Sequence, residues 1–168
     1  MRHLIAVSLL LAGSVAMADD CEFQADRSFT VDRGEITALN VKTGRNDLRV
    51  QGEAGLAQIV VTAKACASDE EDLPKLKLTQ RRDGTRLLIE AENPDSSGGI
   101  LLFPGYADLD IQIRLPADLA VSVDAGSGDT TARDLASLDY DAGSGDLDAD
   151  GIRDELRADV GSGDITAN

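Results

Sequence analysis

Three aspartates carry the most recurrent chemistry in this chain. Asp129, Asp146 and Asp164 each close the phrase Gly-Ser-Gly-Asp, at Gly126-Ser127-Gly128-Asp129, Gly143-Ser144-Gly145-Asp146 and Gly161-Ser162-Gly163-Asp164. The spacings of 17 and 18 residues are those of a stacked repeat. Carboxylates aligned in this way have three uses. They can bind a hard cation such as calcium, which takes oxygen ligands readily. They can hydrolyse a glycoside, which takes two carboxyls flanking one sugar bond. They can also accept backbone N–H bonds and hold a turn.

The residues around the phrase say what positions it. Counting back from its first Gly, the odd positions are Ala125, Val123, Val121; Ala142, Tyr140, Leu138; and Val160, Ala158, Leu156. The residues between them are polar, with Asp124, Asp141 and Asp159 two back. This alternation is the period of a strand with one buried face. After the Asp it resumes with Thr130, Leu147 and Ile165, then Ala132, Ala149 and Ala167. Leu135 and Ile152 follow a second corner. Each unit reads as strand, tight Gly corner, strand, second corner. Such a unit cannot bury its apolar row alone, but stacked neighbours can. The expected fold is all-β, a parallel β-solenoid with short coils, each adding one rung to two sheets. Alanine-rich inner rows predict a thin interior with little room for an internal ligand.

Stacking sharpens the choice among the three uses. Between residues 117 and 168 there are 13 acidic and three basic side chains, net −10. Rungs lie ~4.8 Å apart, so equivalent Asp side chains become neighbours. Their repulsion is roughly 1 kcal/mol per pair in water and about 3–4 kcal/mol at an effective dielectric near 20. Turn N–H bonds, splayed rotamers or a cation must offset it. The phrase is not the Gly-Gly-x-Gly-x-Asp repeat of calcium-binding β-helices, whose period is about half as long. Turn capping is therefore the first expectation for Asp129, Asp146 and Asp164, and calcium ligation the alternative. Hydrolysis of polysaccharide ranks last: no loop of a dozen residues interrupts the repeats to form a cleft.

From the start of the chain, residues 1–18 read as a signal peptide. Arg2 and His3 supply a basic start, Leu4 to Val15 is mostly apolar, and Ala16-Met17-Ala18 is a small-residue cleavage site. The apolar run is short for a membrane span, and Asp19 and Asp20 disfavour lipidation of Cys21. The mature chain is expected to be one exported domain, residues 19–168, without a transmembrane segment, in the periplasm or outside the cell. Losing Arg2 leaves 15 basic against 31 acidic residues, net −16, and the only His goes too. That excludes a His-based triad and His-ligated zinc. The acidity argues against nucleic acid.

Cys21 and Cys66 form an even pair in an exported chain, so a disulfide is expected. Two reduced core cysteines are the alternative, and a reactive thiol has no His to activate it. Residues 19–116 read as a less regular β region. Within it, Ile36 to Val50 is a faint copy of the repeat, with Leu39, Val41 and Thr43 before Gly44-Arg45-Asn46-Asp47, then Leu48 and Val50. Asp47 stands where Asp129 would. Gln58 to Ala65 reads as a β-branched strand and Ser68 to Asp72 as a solvated acidic loop. Arg82-Asp83-Gly84 is a hairpin turn between Leu76, Leu78 and Leu87, Ile89. Asn93 to Gly99 reads as a loop. Ile100-Leu101-Leu102-Phe103-Pro104-Gly105-Tyr106 reads as a cover for the open end of the solenoid or as an exposed apolar lip. Leu109, Ile111, Ile113 and Leu115 alternate into Pro116.

An alternating strand ending in Leu115-Pro116, then Leu119 to Val123, then Gly-Ser-Gly-Asp units, resembles the bacterial putative-adhesin family. The likeness spans Ile36 to Asn168 and is most specific from Asp108 onward. It implies a β-solenoid and an envelope location, and it brings no catalytic or ligand residues to carry over. The functional expectation is a non-enzymatic, adhesin-like envelope scaffold with an unidentified surface partner. The repeats reach Asn168 without an atypical capping unit. End-to-end association through that rung, a folded-back segment or further chain would each cover it.

Overall fold

The computed structural model describes residues 21–93 and 105–168. The signal-peptide segment, the loop from 94 to 99 and the run Ile100 to Pro104 lie outside the described residues. In chain order the strands are β1 (Phe23–Asp26), β2 (Phe29–Asp32), β3 (Ala38–Gly44), β4 (Leu48–Glu53), β5 (Gln58–Ala67), β6 (Lys77–Asp83) and β7 (Arg86–Glu92). They continue as β8 (Ala107–Pro116), β9 (Ala120–Ala125), β10 (Thr130–Arg133), β11 (Ser137–Ala142), β12 (Leu147–Asp150), β13 (Glu155–Val160) and β14 (Ile165–Ala167). One 3-10 turn, Leu73–Lys75, precedes β6, and no α-helix occurs among the described residues.

The strands form two mixed sheets, neither closed on itself. The first runs β1-β5-β8-β4-β10-β12-β14, with β2 also on β5. The second runs β13-β11-β9-β3-β7-β6. Each Gly-Ser-Gly-Asp unit adds one parallel strand to each sheet. In the second sheet Val123, Tyr140 and Ala158 share one row, and Asp124, Asp141 and Asp159 the next. Val123 and Tyr140 are buried, Ala158 is half-buried, and the three aspartates are exposed. In the first sheet Thr130, Leu147 and Ile165 align, as do Ala132, Ala149 and Ala167.

The faint early copy occupies the position its alternation predicts. Leu39 pairs with Val121 and Val41 with Val123, while Leu48 pairs with Thr130 and Val50 with Ala132. One irregularity falls between Lys42 and Gly44, where Gly44 takes φ +61°. Pairing turns antiparallel further toward the N-terminus: β5 with β1, β2 and β8, and β6 with β7. The cause is local. After β4 the chain turns back through Gly55 (φ +80°) instead of crossing to the other sheet, so β5 returns in the opposite direction. Strand β8 then fills the place between β5 and β4, buried on alternate residues along its length.

The core lies between the sheets and is thin where the repeats are regular. Ala125, Ala132, Ala142 and Ala149 are buried there beside Leu138 and Leu147. Tyr140 is 1% exposed, and its hydroxyl has no hydrogen-bond partner. Burial fades toward β13 and β14: Leu156, Ala158 and Val160 are half-buried and Ile165 is 46% exposed. At the other end Cys21 and Cys66 are joined by a disulfide, with Cα atoms 5.6 Å apart, tying the entry to β1 onto β5.

Candidate functional site

The Gly-Ser-Gly corners stack as closely as backbones allow. Gly126 N–H donates to the Gly44 carbonyl at 2.6 Å, Gly143 N–H to Ala125 at 3.0 Å, and Gly161 N–H to Ala142 at 2.9 Å. A Cβ on Gly145 would stand 2.3 Å from the Gly128 carbonyl oxygen, and one on Gly163 would stand 2.2 Å from that of Gly145. Both residues also hold positive φ, 103° and 137°. Glycine is needed here twice over, for dihedral and for space. Ser127 and Ser144 contribute their backbone: each N–H donates to the glycine one coil below, Gly44 at 2.8 Å and Gly126 at 3.0 Å.

The aspartates that close these corners form a ladder between coils. The Asp129 N–H donates to Asp47 Oδ1 at 2.9 Å, Asp146 N–H to Asp129 Oδ1 at 3.0 Å, and Asp164 N–H to Asp146 Oδ1 at 2.9 Å. The carboxylates of Asp47, Asp129 and Asp146 each cap a backbone donor of the next repeat, not of their own turn. A charged acceptor on a backbone N–H is among the stronger hydrogen bonds. It offsets part of the repulsion that stacking imposes on these exposed groups.

Beside the ladder lies an open polar depression of about 620 Å³ on the first sheet, lined by Asp129, Asp146, Asp164, Thr131, Arg133 and Asp148 among others. Arg133 crosses it. Both ends of its guanidinium bond Asp148, and Asp150 stands 3.9 Å away. Among the described residues no three His, Cys, Asp or Glu side chains come together as a metal-holding group. On the second sheet Lys42 meets the outer acidic row, 3.9 Å from Asp124.

The second corner has its own column, in which Gly52, Asp134 and Gly151 approach each other. Asp134 takes φ +54°, its carboxylate accepts from Gln51 Nε2 at 2.7 Å, and a Cβ on Gly52 would meet its carbonyl oxygen. Asp and Asn tolerate this dihedral better than other side chains. Sequence reasoning missed this column, although Asp134 sits 17 residues before Gly151.

A second depression, about 450 Å³, opens beside the disulfide and was also missed. Arg45 bonds Asp108 at 3.2 Å and Arg49 bonds Asp110 at 2.9 Å, so its basic side chains are largely paired. Behind them Asn46, 1% exposed, exchanges amide hydrogen bonds with Asn93 at 2.6 and 2.9 Å. Asn46 Oδ1 also accepts the Leu109 N–H at 2.8 Å, which fixes the entry of β8. Tyr106, which precedes β8, exchanges backbone and side-chain bonds with Ser68, and its hydroxyl accepts the Glu22 N–H at 3.1 Å. It therefore sits at the disulfide end, away from the last coil.

Two titrations depart from the ordinary, both outside these sites. Hydrogen bonds from Ser28, side chain and then backbone, hold the Asp26 carboxyl below its usual value. A hydrogen bond to Asp72 raises the Lys75 ammonium.

In fold the chain is similar to a solved structure described as a putative cell adhesion protein from Clostridium sporogenes, at TM-score 0.51 and 13% identity, covering 86% of this chain and 99% of that one. A putative adhesin from Parabacteroides merdae aligns at TM-score 0.42 and 10% identity, over 88% of this chain and 57% of that one. One from Parabacteroides distasonis aligns at TM-score 0.39 and 11% identity, over 87% and 65%. At these identities the likeness is one of fold, and the first of the three carries it. No family model and no curated protein matches the chain. Among the described residues no helix is long and apolar enough to cross a membrane.

Proposed function

We propose that this chain is a non-enzymatic, exported envelope scaffold: a short parallel β-solenoid, one domain over residues 19–168, that binds a surface component through its strand faces. The shared register of the repeats carries the reading. Equivalent residues of successive coils fall into straight outward rows, such as Asp124, Asp141 and Asp159. Such rows repeat like groups every ~4.8 Å over a sheet, a surface suited to contact over length rather than to enclosing a small substrate. Asp129 and Asp146 belong to the architecture in this reading, each capping the next repeat, with Asp164 as the last N–H so capped, and calcium is not required to hold it. The fold likeness to a protein described as a putative cell adhesion protein supports an adhesive role. The disulfide supports an oxidising compartment, periplasmic or extracellular. The edge strands β13 and β14 are where a further strand, from a partner or from more chain, would be added.

The test is binding of the purified chain, without residues 1–18, to an array of envelope polysaccharides, peptidoglycan fragments and envelope proteins. Retention of one component, weakened by Asp141→Lys on the outer face, is expected. Release of new reducing ends from any polysaccharide on the array would overturn the non-enzymatic reading.

A further inference from the structure

We propose that the outer edge of β6 takes up a short extended peptide, paired antiparallel, that carries one carboxylate and has small or apolar residues beside it. This goes beyond the scaffold reading, which uses the strand faces, and adds a site on a strand edge. Among the described residues β6 pairs only with β7. The first sheet extends one row past it, because β1 and β2 lie side by side beyond β5. One half of the space opposite that row is filled. There the 3-10 turn packs on β1 and β5, and Arg27 holds it by donating to the Leu73 and Leu76 carbonyls at 2.9 and 2.8 Å. The other half, opposite the four residues of β2, holds no strand or turn among the described residues. It is a slot ~13 Å long.

The rows of the second sheet mark the slot as a strand position. Val123, Val41 and Ile89 are buried in one row, and its next place is Gln80. Val121, Leu39 and Leu87 are buried in the row beside it, and its next place is Arg82. Both Gln80 and Arg82 are exposed, although they point to the inner face. Counting away from the Gly-Ser-Gly corner in each sheet sets Gln80 level with Val61 and Phe29, and Arg82 level with Ile59 and Val31. Phe29 and Val31 are therefore an apolar floor, left half-buried. An inward charge on an edge strand also discourages chance pairing. Here Arg82 is drawn to the hairpin turn instead: its Nε donates to the Gly84 carbonyl at 2.9 Å, and its guanidinium stands 3.7 Å from Glu35. Arg81, on the outer face, supplies the charge. Arg49, Arg114 and Arg133 of the first sheet each bond an acid on a neighbouring strand. Arg81 stands opposite Leu88 and bonds no acid among the described residues. An added strand alternates between the outer face and the floor. A carboxylate then suits the place beside Arg81, threonine the place beside Gln80 over Phe29, and valine the place beside Arg82 over Val31. Main-chain bonds along the edge give affinity, and these three places give specificity.

Amide NMR of the isotope-labelled chain without residues 1–18, titrated into the millimolar range with the end-capped peptide Thr-Val-Glu-Thr-Thr, tests this. Shift changes are expected at Thr79 to Asp83, Phe29 and Val31, with slowed hydrogen exchange along β6. The same peptide with Lys in place of Glu should bind roughly tenfold more weakly. Arg81→Glu should reverse the order of the two peptides, and it should melt like the original because Arg81 is exposed. If it melts early, a peptide methylated on its backbone nitrogens poses the question to the unaltered chain, and it should not bind. The proposal is overturned by any of four results: no change at Thr79 to Asp83, equal binding of the Glu and Lys peptides, equal binding of the methylated peptide, or self-association of the chain through β6 in place of peptide uptake. Asp141→Lys keeps the scaffold reading separate. It should weaken retention on the envelope array and leave peptide binding as it was. Peptide uptake without array binding sinks the scaffold reading alone, and array binding without peptide uptake sinks the edge site alone.

Discussion

Three glycines separate the two demands that the stacked corner makes on its backbone. Gly84, in the β6–β7 turn, has φ +59° and open space where a Cβ would go. Gly84→Ala therefore measures the dihedral alone, about 1 kcal/mol. Gly143 has no left-handed dihedral, but its Cβ would lie 2.7 Å from the Gly126 carbonyl oxygen. Gly143→Ala measures the close approach alone. Gly145 combines both, with φ +103° and a Cβ 2.3 Å from the Gly128 carbonyl oxygen. To accept a methyl there, the coils must separate by close to 1 Å to restore an ordinary contact. That strains the Ser144 to Gly126 and Gly143 to Ala125 hydrogen bonds, both 3.0 Å. At about 1 kcal/mol for each bond, added to the dihedral term, Gly145→Ala should cost roughly 3 kcal/mol, against about 1–2 for Gly143→Ala. Equilibrium unfolding in urea measures all three, with an unchanged slope confirming that the unfolded state is comparable. If Gly145→Ala costs no more than Gly84→Ala, the coils do not press on one another at this corner, and the stacking argument fails with it.

The aspartate ladder gives a paired prediction. Asp146→Asn keeps an acceptor for the Asp164 N–H and relieves repulsion with Asp129 and Asp164, so melting temperature should hold or rise slightly, whereas Asp146→Ala should lose about 1 kcal/mol. A rise of many degrees with millimolar calcium, cancelled by Asp146→Asn, would instead make the ladder a cation site. Tyr140→Phe removes a buried hydroxyl that has no partner and should leave stability unchanged or raise it by about 1 kcal/mol in the same urea assay. Replacing Cys21 and Cys66 by Ser opens a cross-link 45 residues apart, worth up to about 4 kcal/mol by chain entropy, and non-reduced mass spectrometry of the original chain should find no free thiol. Because the Asp26 carboxyl is held below its ordinary value of 3.8, it adds stability that is present above that pH and lost as pH falls further; Asp26→Asn should flatten this acid limb in a melting-temperature series against pH.

Alternation was the legible part of this fold. Val121, Val123 and Ala125 declare one face without help from any distant residue, and their counterparts at 17- and 18-residue offsets declare the stack. The same logic found the weak copy at Leu39 and Val41, where only one glycine of the corner survives. The direction of the aspartate bonds was not legible. A carboxylate after a Gly corner caps whichever donor is nearer, and only the distance between coils puts the next coil's N–H ahead of its own. The placement of β8 between β4 and β5 was equally hidden. Its entry is held by Asn46, which accepts the Leu109 N–H and meets Asn93, 47 residues away, in a half-buried amide pair that no local pattern marks. Asp134 lies between these cases: its column of Gly52 and Gly151 was available to counting, but an Asp does not announce a left-handed dihedral.

The ladder from Asp47 to Asp164 also bears on how such a chain can change over time. Within the ladder, the repeats closed by Asp129 and Asp146 each take an N–H cap from the repeat below and offer an identical one to the repeat above. A segment of 17 or 18 residues can then be duplicated or deleted in frame without creating a junction of a new kind. Most insertions in a globular core must invent their own packing; this one inherits it. Length becomes a heritable variable separate from fold, and with it the reach of the outer rows.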